Sequence, residues 1–162
     1  MTTERTLVIL KPDAVNRELA GKIISRFEEK GLKIIAMKME HLKPYVLSEH
    51  YAHHKDKPFY QELMKYMSSI PCVLMVLEGK DSVKVVRKLT GITASRDAEP
   101  GTIRGDFSMS TQMNLVHASD SIETAKKEIA RFFKDAELMK YEKMNFEWVY
   151  GSDERGLKLG KK

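Results

Sequence analysis

Five histidines stand at positions 41, 50, 53, 54 and 117, and only His117 closes a short apolar run. That run is Asn114-Leu115-Val116-His117-Ala118-Ser119-Asp120-Ser121, and it leads directly into a helix start. Neutral imidazole is a nucleophile near neutral pH and can hold a phosphoryl group transiently. Just upstream, Pro100-Gly101-Thr102-Ile103-Arg104-Gly105-Asp106-Phe107 presents Arg104 on a glycine-punctuated loop. The planar fork of arginine binds two phosphate oxygens at once, so the two segments together suggest phosphoryl transfer. Such transfer needs positive charge and alignment more than covalent help from the protein. Lys11 at a strand end and Arg87 on a helix are further cations of the right kind. On local spacing alone, a histidine merely hydrogen-bonded at the core edge is the plainer reading, and each cation alone is most often surface charge.

Glu128 lies on the helix that follows His117, and Ser121 and Glu128, seven residues apart, share one face of it. A carboxylate there can hold one ring nitrogen of His117, fix the tautomer and free the other nitrogen. Its neighbours Lys126, Lys127 and Arg131 equally suit a solvated glutamate. His50, His53 and His54 share a helical face, but no carboxylate or cysteine of matching spacing completes a ligand set, so no protein-held metal is expected. The chain has no Gly-x-x-x-x-Gly-Lys-Ser/Thr phosphate loop and no protein-kinase catalytic loop.

The elements that must position these residues follow from periodicity. Residues 5–10 form a continuous apolar run that reads as a buried strand, stopped by Lys11-Pro12-Asp13. Leu19, Ala20, Ile23, Ile24 and Phe27 recur at helical spacing up to Gly31, and residues 32–39 alternate as a second strand. Two short helices follow, one opening near Pro44 and one after Pro58 with Phe59, Leu63, Tyr66 and Met67 on its stripe. Residues 71–77 make a third strand. A helix capped by Asp81 or Ser82 and closed by Gly91 turns Val83, Val86 and Leu89 inward. Residues 92–113 show little periodicity and read as a long functional loop. Residues 114–116 make the fourth strand. The final helix, with Asp120 and Glu123 at capping-box spacing, turns Ile122, Ala125, Ile129 and Phe132 to the core. The order implies an α+β sandwich of the ferredoxin-like type, a four-stranded antiparallel sheet with helices on one face.

The 162 residues suffice for one domain with a real core, and 42% hydrophobic with 31% charged residues fit an ordinary globular protein. The net charge of +5 favours anionic partners such as nucleotides, nucleic acid or acidic membrane, although Lys158, Lys161 and Lys162 supply part of it. A lone Cys72 rules out an internal disulfide. With no secretory signal and no apolar run of membrane-spanning length, a cytoplasmic location is the default expectation.

Several segments, in order, make the chain resemble nucleoside diphosphate kinases over roughly residues 4–150: Glu4-Arg5-Thr6-Leu7, Lys11-Pro12-Asp13-Ala14-Val15, Glu49-His50-Tyr51, Lys57-Pro58-Phe59, then 100–107 and 114–121. The resemblance implies a ping-pong reaction: a nucleoside triphosphate such as ATP phosphorylates His117 on Nδ1, and a second nucleoside diphosphate removes the group. It implies that Lys11, Tyr51, Arg87, Thr93, Arg104 and Asn114 hold phosphates and ribose, and that Phe59 stacks on the base. Ser119 and Glu128 would orient His117. Magnesium would ride on the nucleotide's phosphates, with few or no protein ligands. Stacking on Phe59 uses a face every base has, so base specificity should be low. The family assembles from dimers into hexamers or tetramers, and a hexamer is the expectation here, with no obligatory nucleic acid and no membrane partner.

Three features depart from the family pattern. Ala118 stands where glycine is usual, which matters if that backbone needs a positive φ or close approach to phosphate. Thr93-Ala94-Ser95-Arg96 replaces a Thr-Asn-Pro pattern in a loop that contributes to subunit contacts. Residues 1–150 would be the kinase domain, with 151–162 an extension whose Gly and Lys content favours disorder. A non-catalytic nucleic-acid or regulatory module is the rival. A single-strand reader of this topology should carry paired aromatics on its central strands, and 5–10, 71–77 and 114–116 carry none. A catalytically inert core histidine would leave the joint presence of nine matching site residues unexplained.

Overall fold

The structure is a computed structural model that describes residues 3–143 and 146–155. Strand β1 (Glu4–Leu10) is the centre of the sheet because its side chains are apolar on both faces. Helices α1 (Pro12–Asn16) and α2 (Ala20–Glu29) follow, then β2 (Lys33–Glu40), α3 (Pro44–His50) and α4 (Tyr60–Met67). Next come β3 (Cys72–Gly79), α5 (Ser82–Thr90), α6 (Ile103–Phe107), β4 (Val116–Ala118), α7 (Ile122–Phe132) and α8 (Phe146–Val149). The sheet order is β2-β3-β1-β4, and every neighbouring pair is antiparallel. This is the expected ferredoxin-like sheet. Among the described residues no helix is long and apolar enough to cross a membrane.

Helices cover both faces of the sheet rather than one. Val8 and Leu10 of β1 join Ile23, Phe27 and Val86 in the core beneath α2 and α5. Leu7 and Ile9 join Leu47, Leu63, Met67, Ile129 and Phe132 beneath α3, α4 and α7. The cause is in β1 itself: the unbroken apolar run from Leu7 to Leu10 gives the strand two greasy faces, and each needs a cover.

Other departures have local causes. Residues 92–113 are not structureless: they contain α6 and a 3-10 turn at Ser95–Asp97. α1 and α6 are five residues each, too short to show a period. The cap of α7 is Ser121, whose Oγ accepts from the Thr124 amide, not the Asp120–Glu123 pair. Ile122, at the first helical position, therefore stays exposed, while Glu128 takes a place on the buried stripe with Ala125, Ile129 and Phe132. Asp81 occupies the cap of α5 without a side-chain cap bond. Gly91 closes α5 at φ +78°, where a Cβ would also meet Thr102 Oγ1 at 2.5 Å. The disorder expected of residues 151–162 falls largely on 156–162, outside the described residues. Before them, Lys80 donates to Glu154 at 2.6 Å.

Candidate active site

β4 begins at Val116, two residues later than the sequence suggested, so His117 lies inside the strand, opposite Ile9 of β1. Strand alternation then sorts its neighbours. Val116 and Ala118 enter the core under α2 and α5, while the His117 ring meets His50 of α3, centroids 4.6 Å apart, on the other face. Ala118 pairs regularly with Val8 and is not among the positive-φ residues, so its methyl is a core contact. No positive φ is required at the position where the family usually has glycine.

A chain of bonds leads from the sheet to the imidazole. The Leu7 amide donates to Ser119 Oγ at 3.2 Å, and Ser119 Oγ donates to Glu128 Oε2 at 2.5 Å. Glu128 Oε1 lies 2.9 Å from His117 Nε2. Ser119 therefore holds Glu128 rather than His117 itself. Burial alone would raise the Glu128 pKa, but the His117 bond, aided by Ser119, takes it below the ordinary carboxylate value. An ionised carboxylate only accepts, so Nε2 carries the proton and Nδ1 keeps the lone pair. His50 adds a second buried ring, its Nδ1 3.7 Å from the same Glu128 oxygen. Burial, then the nearby His117, push its pKa down to about 3, so it is neutral. Sequence reading had grouped His50 with His53 and His54. In the fold His53 and His54 face each other at 4.0 Å, and of the three His50 is the one whose ring meets His117.

The cations meet at the other end of the site. Lys11 leaves β1, and its Nζ donates to Asn114 Oδ1 at 2.7 Å. Asn114 in turn donates to the carbonyls of Thr111 and Thr93. Arg104, almost fully buried, donates to the carbonyls of Asn114 (3.2 Å), Gly91 (2.6 Å) and Val116 (2.5 Å). It is thus a brace for three segments as well as a charge. Gly105 lets α6 sit against the Glu99 carbonyl, where a Cβ has no room. Burial, then Arg104, lower the Lys11 pKa to about 8. Burial, then Arg87, lower that of Arg104 to about 10. These mutual repulsions place Lys11, Arg104 and Arg87 in one electrostatic neighbourhood.

The remaining residues line a looser end. Phe59 caps the start of α4 and is 43% exposed. Its ring lies 5.3 Å from that of His54, which stacks at 6.2 Å on Tyr51. Tyr51 is buried and its hydroxyl has no partner among the described residues, with burial raising its pKa. Back on the cationic side, Arg87 and Thr93 are exposed.

A carboxylate-held histidine in a ferredoxin-like sheet, beside a buried cationic corner, is the equipment of a phosphotransferase. The comparisons make the class specific. The sequence model of the nucleoside diphosphate kinase family matches residues 4–138. The chain is 55% identical over 151 residues to the nucleoside diphosphate kinase of Parabacteroides distasonis, covering 93% of this chain and 99% of that one. It is 52% identical over 151 residues to the enzyme of Pyrococcus horikoshii, covering 91% and 96%. The structure of the Halobacterium salinarum nucleoside diphosphate kinase in complex with CDP superposes with TM-score 0.90 at 44% identity, covering 92% of this chain and 99% of that one. The chain belongs to the nucleoside diphosphate kinase family, and it is an enzyme.

Proposed function

We propose that the enzyme moves a γ-phosphoryl group from a nucleoside triphosphate, ATP among them, to a nucleoside diphosphate through phosphohistidine at His117. The observation that carries this reading is the bond from His117 Nε2 to Glu128, which leaves Nδ1 as the nucleophilic nitrogen. Nδ1 attacks the γ-phosphorus, a nitrogen–phosphorus bond forms, and the bond to the β,γ-bridging oxygen breaks. The diphosphate leaves with that electron pair. The imidazole becomes cationic, and Glu128 offsets the new charge through Nε2–H. A terminal phosphate oxygen of the second nucleoside diphosphate then attacks the same phosphorus and restores neutral His117.

Lys11, Arg104 and Arg87 supply positive charge for the phosphates, and Asn114 and Thr93 sit beside them. The unpartnered Tyr51 hydroxyl is a donor suited to a phosphate or sugar oxygen. Exposed Phe59 offers a flat face to any base, which supports low base specificity. Among the described residues the metal-capable group is His50, His117 and Glu128, mostly nitrogen and wrong for magnesium. Magnesium would instead arrive with the nucleotide, held by its phosphate oxygens, and would supply charge neutralisation there. Exposed Met37 and Met39 on β2, and Ile92, Met109 and Met113 in the 92–113 segment, support assembly into a homo-oligomer, with a hexamer expected. A cytoplasmic site of action suits this chemistry.

The test is label transfer. The protein is mixed with γ-labelled ATP and magnesium, freed of nucleotide, and mapped by peptide mass spectrometry before GDP is added. Acid-labile label on His117 that passes to GDP, and is missing in His117→Ala, is the expected result. A folded protein that binds nucleotide yet takes no label on His117 would sink the phosphohistidine reading.

A further inference from the structure

Leu115 has φ +69° and is fully buried, a conformation that costs a bulky residue free energy unless its surroundings impose it. The Val116 amide donates back to the Asn114 carbonyl at 2.8 Å, which makes a γ-turn centred on Leu115, a rare and strained form at positive φ. The turn has a visible consequence. Regular alternation back from His117 would send Leu115 to the His117 face. Instead Leu115 joins Val116 and Ala118 in the core under α2 and α5. Asn114 is thereby turned toward Lys11, only three residues before the nucleophile.

What imposes the turn lies outside it. The Leu115 carbonyl accepts from the Lys11 amide at 2.8 Å. The Leu115 amide donates to Asp13 Oδ2 at 3.1 Å. Asp13 Oδ1 accepts a hydrogen bond from the Tyr66 hydroxyl on α4, and burial together with that bond raises the Tyr66 pKa. Neither Asp13 nor Tyr66 is in the set of residues assigned to the nucleotide, and both are tied to the strained corner from different elements.

We infer that Asp13 and Tyr66 form a positioning pair for phosphoryl transfer: they hold the γ-turn at Leu115 and so set the distance between the Lys11–Asn114 phosphate corner and His117. The inference rests on the phosphohistidine reading for its chemistry. Tyr66 also ties this corner to α4, the helix that opens on Phe59, so the base end and the phosphate end share one strap.

The experiment measures steady-state turnover and His117 labelling in the wild type, Asp13→Ala, Asp13→Asn and Tyr66→Phe. Loss of the strap should let the corner shift, and a misplacement of about 1 Å costs roughly a hundredfold in rate. Asp13→Ala should therefore lose about that factor in kcat at unchanged KM. An asparagine oxygen can still accept from the Leu115 amide and its NH2 can donate to Tyr66, so Asp13→Asn should recover to within about tenfold of wild type. Tyr66→Phe should lose about threefold to tenfold in kcat. A folded Asp13→Ala enzyme with wild-type kcat overturns the inference, as does a rise in KM alone or an Asp13→Asn enzyme no better than Asp13→Ala. If Asp13→Ala does not fold, Tyr66→Phe decides, and wild-type kcat in that variant overturns it. Missing label on wild-type His117 indicts the phosphohistidine reading instead, while the turnover comparison still judges the pair.

Discussion

The two ends of the site are built to different standards. At the phosphate end, Lys11, Arg104 and Asn114 are each at most 9% exposed, and each is fixed by hydrogen bonds to the protein. At the other end, Phe59 stands 43% exposed at the start of α4. On the proposed function, the rigid end would meet what every nucleotide shares, and the loose end what differs among them. Preorganised charge and position serve the reacting atoms, where small misplacements are costly, whereas stacking tolerates variation.

Arg104→Ala should break the rigid end most severely. It removes a buried cation and strands three carbonyls, so activity should fall by about a thousandfold. Unfolding free energy should fall by about 3 kcal/mol in a denaturant titration. Glu128→Gln keeps the shape but loses the charge that balances the imidazolium. Its rate of His117 labelling, followed by rapid quench, should drop by about a hundredfold with the fold intact.

The pH dependence of Lys11 sharpens the contrast. With its pKa at about 8, Lys11 loses its charge as pH rises through that value, so KM for nucleotide should climb above pH 8. Lys11→Arg should flatten that climb. The sign for stability is the reverse. Between about 8 and the usual 10.5 the unfolded chain binds the proton more readily, so the destabilising effect of burying this lysine eases as pH rises. At the loose end, Phe59→Ala should raise KM by only about fivefold to tenfold, equally for ADP, GDP and CDP. A strong bias among the three would break the comparison. Smallest of all, Ala118→Gly should leave turnover within about twofold while costing about 1 kcal/mol of stability, read from thermal unfolding.

Much of the scaffold was legible because it is written in runs and stripes. The apolar run of β1 and the helical stripe ending at Phe27 appear where expected. The same run also held the clue to two-sided coverage, since Leu7 and Val8 cannot both face one layer. The start of β4 was missed because a single positive φ at Leu115 interrupts the strand, and no residue type there advertises it. His50 was hidden among three histidines of similar spacing, and only the packing of α3 beside α7 separates it from the others. The bonds of Arg104 join Gly91, Asn114 and Val116 from separate stretches of chain, a convergence that no local spacing encodes.

The cationic corner also bears on how the protein keeps its shape. Burial first, and then a neighbouring positive charge, depress the pKa of both Lys11 and Arg104, and Asp13 works against this at Lys11 without restoring its usual value. On the proposed function, a bound polyphosphate would be the counter-ion of this corner, and substrate would take part in holding the scaffold. Through binding linkage, added nucleotide should then raise the thermal midpoint of the enzyme, and the more so the higher its concentration.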